Sequence, residues 1–150
     1  MPINSQKDQD SLGERFKREL KKDVTITLFT QRTAGLTIPG RDCRYCDDTQ
    51  KLLEELTALS SKLHLEVKDF YTMTQEARAS GVERIPALVL AADGASNVRF
   101  FGIPLGFELP TIIGDLITLS RGVSPLALET RKKLKRVQED VHIQVFVTPI

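Results

Sequence analysis

Leu12, Phe16 and Leu20 recur at every fourth position, which predicts an amphipathic helix over residues 10–22, with residues 1–10 expected to fray. The period then changes. Residues 24–29 alternate apolar with threonine and predict a strand, and residues 31–42, with Gly35, Pro39 and Gly40 and no period, predict a long loop. Asp42 is the expected N-cap of a second helix that begins at the cysteines and carries Leu52, Leu53, Leu56, Leu59 and Leu63 on one stripe. Residues 65–70 alternate as a second strand, and residues 74–80 form a short helix closed by Gly81. Ile85-Pro86 opens a third strand over 87–92. The Asp93-Gly94 turn makes a hairpin of it with a fourth at 98–101. A helix from about Glu108 follows, with Ile112, Ile113, Leu116 and Leu119 on its inner stripe and Pro110 in its first turn. After the break at 121–124, residues 125–139 predict a last helix and residues 141–147 a last strand.

This order predicts an α/β fold: a central four-stranded mixed sheet flanked by helices, plus an appended C-terminal helix and strand. The expected division is a domain over residues 1–122 and an appendage over 123–150. A length of 150 residues with 41% apolar content supplies a full core. The net charge of +1 argues against a general grip on nucleic acid or on an anionic membrane surface. The basic group Arg131, Lys132, Lys133, Lys135 and Arg136 sits among Glu129, Glu139 and Asp140 and reads as a solvated face. The longest apolar run, residues 86–92, is far short of the roughly 20 residues of a membrane span. Residues 1–22 are polar and charged, unlike a secretory leader, so the expected compartment is the reducing cytoplasm.

In that compartment paired cysteines are usually catalytic, redox-sensing or metal-binding. The chain has two, Cys43 and Cys46. A bridge closing so small a ring adds little stability, so a staple is not its purpose. Three residues apart at the start of a helix, the two sulfurs can reach bonding distance. The first is expected at the helix N-terminus, where free N–H groups favour a thiolate. Arg41 and Arg44 add to that effect, while Asp42, Asp47 and Asp48 oppose it. The more buried Cys46 would then resolve a mixed disulfide. A zinc site would need two further ligands, and only His64 and His142 are candidates, without paired spacing; no metal is expected. An inert pair is the remaining alternative.

Strand, C-x-x-C helix, strand, helix, Ile-Pro before a hairpin, glycine and helix together resemble the thioredoxin/glutaredoxin superfamily. The stretches "CRYC", "KLLEEL", "RIPALVL", "RFFGIPLGFELPTIIGDLITLSRG" and "VHIQVFVTP" are similar to the N-terminal unit of glutaredoxin-like protein disulfide oxidoreductases, which have two tandem thioredoxin-fold units. The resemblance implies thiol–disulfide exchange on protein disulfides, with Cys43 as nucleophile and Cys46 resolving. It implies that the Ile85–Pro86 bond is cis and close to the cysteines, with Ile85 and Pro86 presenting an edge to extended substrate. Arg44 and Tyr45, between the cysteines, are the other expected substrate contacts. No cofactor is implied beyond the dithiol, and the partner would be a thioredoxin-reductase-like or other dithiol reductant. Arg44 stands where glutaredoxins carry proline, and their glycine–aspartate cluster is not evident, which weighs against glutathione. The family's second unit begins with a strand like residues 141–147, and here that strand is expected to pair with its copy in a homodimer. The competing reading is a non-catalytic adaptor with a vestigial cysteine pair.

Overall fold

In the computed structural model, residues 5–31 and 40–147 are described, Ser96 and Asn97 by backbone only. Most of the expected loop 31–42 lies outside them. The first helix, α1 (Gln6–Glu19), starts four residues earlier than its apolar stripe suggested. Ser5 caps it, its Oγ accepting from Asp8 N–H at 3.1 Å, so residues 6–10 are helical rather than frayed.

Four strands form one sheet in the order β2-β1-β3-β4: β1 (Val24–Thr30), β2 (Leu63–Asp69), β3 (Ala87–Ala92) and β4 (Ala95–Phe101). β1 and β2 are parallel, with Val24 opposite Leu63 and Thr30 opposite Asp69. β3 runs antiparallel to both β1 and β4, placing Ala87 opposite Phe29 and Phe101. One end of the sheet therefore collects the last residues of β1, β2 and β4 and the first of β3. Leu63 corrects the expected helical stripe. It fits the spacing from Leu59, yet its backbone belongs to the ladder with β1, and α2 (Cys46–Ala58) ends before it.

The two faces of the sheet carry different layers. Val24, Ile26 and Leu28 of β1 and Leu88 and Leu90 of β3 pack with α1, α2 and α4 (Glu108–Arg121) through Phe16, Leu53, Leu56, Ile112 and Leu116. Phe29, Ala87 and Val89 point the other way, against Ala77 of α3 (Thr74–Ala79) and Val82. Alternation along each strand produces this split. Phe100 and Phe101 follow it, one packed on each face.

Beyond Gly122 the expectations fit less well. The last helix, α5, covers only Leu128–Leu134, and residues 141–147 pair with no strand among the described residues. Their apolar side chains, Val141, Ile143, Val145, Phe146 and Val147, are exposed. A strand pattern is realised only where another strand supplies backbone partners. No helix among the described residues is long and apolar enough to cross a membrane.

Candidate active site

The cysteine pair lies at the end of the sheet where β1 finishes. Cys43 and Cys46 are joined in a disulfide with their Cα atoms 5.5 Å apart, so neither sulfur titrates in this state. Cys46 is buried, at 2% exposure, and is the first residue of α2, while Cys43 is only partly covered. The expected cap, Asp42, is displaced: Tyr45 holds the N-cap position, and Cys43 lies in the turn before the helix. That turn is closed from Cys46 N–H to the Cys43 carbonyl at 3.4 Å. The Tyr45 carbonyl accepts from the Thr49 N–H at 2.9 Å and from the buried Thr49 hydroxyl at 2.6 Å, which anchors the first helical turn. No side chain caps α2, and the positive end of its macrodipole favours an anion beside it.

Three guanidinium groups at this end rest on aromatic rings. Arg41 lies 4.5 Å from the centre of Tyr71, Arg44 5.3 Å from Tyr45 and Arg84 4.9 Å from Phe101. Tyr71 also meets Phe70 edge-on, with centroids 5.4 Å apart. Its position is set by Asp69, whose carboxylate oxygen accepts from the Tyr71 and Thr72 N–H groups at 3.0 and 2.8 Å. The turn after β2 thus holds a ring under the arginine that precedes the disulfide. Sequence reading did not single out Tyr71, because its pairing with Arg41 spans thirty positions and has no local period.

The Ile85–Pro86 bond is cis and immediately precedes β3. Pro86 is buried, its carbonyl accepting from Gly102 N–H at 2.8 Å, and Ile85 is partly buried against the α3-side cluster. In the sheet register Ala87 faces Phe29, which brings this peptide to the end of β1 that leads toward Cys43. Cys43, Cys46, Arg44, Tyr45, Ile85 and Pro86 therefore belong to one end of the molecule. The two histidines do not join them. His64 is at the opposite end, 3.6 Å from Asp23, and His142 is in the exposed C-terminal segment. A cleft of about 590 Å³ between the hairpin turn and the end of α4 is also remote from the cysteines.

Several solved structures share this fold. The N-terminal domain of alkylhydroperoxide reductase AhpF from Enterococcus faecalis superposes with a TM-score of 0.73 at 23% identity, over 87% of this chain and 59% of its own. A protein disulfide oxidoreductase from Aeropyrum pernix superposes with a TM-score of 0.71 at 25% identity, over 88% of this chain and 54% of its own. This chain thus spans little more than half the length of either. A point mutant of thioredoxin from Halobacterium salinarum, 22% identical, matches at a TM-score of 0.50 over 83% of this chain and 93% of its own. No curated protein sequence matches the chain. The family model described as thioredoxin domain matches residues 36–113, from the approach to Cys43 into α4. That span is more than half of the chain and contains both cysteines and the cis-proline, and by it the protein belongs to the thioredoxin domain family.

Proposed function

We propose that the protein is a thiol–disulfide oxidoreductase acting on protein disulfides, with Cys43 as the attacking thiol. The observation that carries this reading is the unequal placement of the pair: Cys43 is reachable in the turn, and Cys46 is buried one residue inside an uncapped helix. In the reduced form the Cys43 thiolate attacks a substrate disulfide. A mixed disulfide forms, and one substrate sulfur leaves and takes a proton. Cys46, losing its proton, then attacks Cys43, which closes the intramolecular disulfide and releases the second substrate thiol. Two electrons pass to the substrate, and a dithiol reductant of the thioredoxin-reductase-like class returns the pair to the reduced state. The exchange with substrate uses only the two cysteine sulfurs as electron carriers. Ile85 and Pro86 would present backbone to an extended substrate, and Arg44 and Tyr45 would border it. The Aeropyrum pernix protein is a protein disulfide oxidoreductase, which supports protein disulfides as the substrate class. A reductant-dependent cycle suits a reducing compartment, the cytoplasm.

Insulin reduction tests the assignment. Cys43→Ser should abolish turnover, and Cys46→Ser should stop it at a trapped mixed disulfide, because the first step needs a single thiol. Turnover retained by either variant would refute the order of attack. Alkylation near neutral pH separates the enzyme from a non-catalytic adaptor. One cysteine of the reduced protein should react far faster than a free thiol, and equal slow reaction at both would favour the adaptor.

A further inference from the structure

α3 ends in a turn that leaves one carbonyl to a distant side chain. Val82 N–H bonds to the Ala77 carbonyl at 2.8 Å and Gly81 N–H to the Arg78 carbonyl at 2.9 Å, with Gly81 at φ +68°. These two bonds turn the chain off the helix and satisfy two of its last carbonyls. The Ser80 carbonyl takes no backbone donor among the described residues, and Arg99 Nε on β4 donates to it. A cation suits that place, because the carbonyl end of a helix is the negative end of its dipole. The guanidinium also covers Gly81, where an added Cβ would stand 3.0 Å from Arg99 Nε.

The same strand holds the rest of that loop. Arg99 stands opposite Val89 and Phe101 opposite Ala87, so both occupy the α3 side of the sheet. Phe101 and Ile85 pack against one cluster there, and the Arg84 guanidinium lies 4.9 Å from the centre of the Phe101 ring. One position further along, Gly102 N–H reaches the Pro86 carbonyl at 2.8 Å. Residues 80, 84 and 86 are thus tied in order to residues 99, 101 and 102. Ile85 lies between the last two ties and makes no backbone hydrogen bond of its own among the described residues. The place of its backbone is therefore set by how the loop 80–86 is laid along β4.

We propose that Arg99 is a positioning residue for the exchange reaction. By holding Ser80 it fixes the start of the loop whose far end, Ile85 and Pro86, presents backbone to an extended substrate. This rests on the exchange reaction proposed above and adds to it a residue of the edge strand. Main-chain hydrogen bonds to such an edge supply affinity only when donor and acceptor meet in register. A loop released at Ser80 keeps its chemistry but loses that register. A small disulfide has no extended backbone to align, so its reaction depends on access to the sulfur alone. Arg99 is exposed, and water can replace it on the Ser80 carbonyl, so its removal takes nothing from the core.

Single-turnover reduction of insulin and of bis(2-hydroxyethyl) disulfide by the reduced full chain tests this. Arg99→Ala should lower the second-order rate constant on insulin about tenfold, while the constant on the small disulfide changes by less than about twofold. Arg99→Lys keeps a cationic donor for the Ser80 carbonyl and should restore most of the insulin rate. An insulin rate unchanged in Arg99→Ala, or an equal loss on both substrates, overturns the positioning role and leaves the exchange reaction standing. So does a loss that Arg99→Lys fails to restore. Failure of the unaltered chain to reduce either substrate removes the exchange reaction and this role with it.

Discussion

Ser120 is a small residue with a large share of the hydrogen bonding at the base of the sheet. Its buried hydroxyl accepts from the Lys21 and Lys22 N–H groups at 2.8 and 2.9 Å and donates to the Lys22 carbonyl at 2.6 Å. The bend between α1 and β1 depends on it. Ser120→Ala should lower the free energy of unfolding by about 1–3 kcal/mol in a urea titration, because two N–H groups lose a partner. Asp115, on the same helix, has the opposite sign. Partial burial raises its pKa above the ordinary aspartate value. The folded state therefore holds this proton to higher pH than the unfolded chain does, and stability falls as pH rises through that interval. Asp115→Asn should give a small gain in stability at neutral pH, and the gain should vanish below the ordinary aspartate pKa. A gain of equal size at both pH values would contradict the assignment.

Two glycines separate the demands of a helix interior from those of a helix end. Gly13 lies within α1, and a Cβ there would meet only the Leu59 carbonyl at an ordinary 3.8 Å. Gly13→Ala should stabilise the protein by about 0.5–1 kcal/mol, since alanine loses less backbone freedom on folding. Gly122 ends α4 with φ at +65°, its N–H bonded to the Thr118 and Leu119 carbonyls. A Cβ would meet nothing within 4 Å, so any penalty is conformational. Gly122→Ala should destabilise by about 1 kcal/mol, and Gly122→Asn by less, because asparagine tolerates the left-handed conformation. Thermal unfolding of the three variants distinguishes these signs. Element types were legible wherever the apolar period was long, as in α2 and α4. Their starts were less so: Asp42 has the chemistry of a cap, but the geometry of the cysteine turn puts Tyr45 there.

At the scale of the molecule, the sheet and its helices are closed by residues before Gly122, while residues 135–147 are exposed. Val141, Ile143, Val145 and Val147 keep the alternation of a strand without a backbone partner among the described residues. Such a segment is a template for another strand. Pairing with the same segment of a second copy satisfies both and gives a symmetric dimer. Light scattering at micromolar concentration should find a dimer for the full chain and a monomer after deletion of residues 141–150, with alkylation of Cys43 unchanged. A monomeric full chain would refute the pairing.

The alternation in β1 and β2, the stripes of α1, α2 and α4, the hairpin turn and the C-x-x-C spacing are all local signals. Each is complete within a few residues, so α/β architecture and a dithiol site could be read directly from the chain. Leu63 was placed on the helical stripe because one apolar residue fits either period, and its ladder with Val24 puts it in β2 instead. Residues 141–147 had the pattern of a strand but no partner to make them one. Arg41 on Tyr71 and Arg84 on Phe101 are contacts between distant positions. They exist only once β1, β2 and β4 end where β3 begins, because packing of the sheet, rather than any neighbour in sequence, brings those groups together.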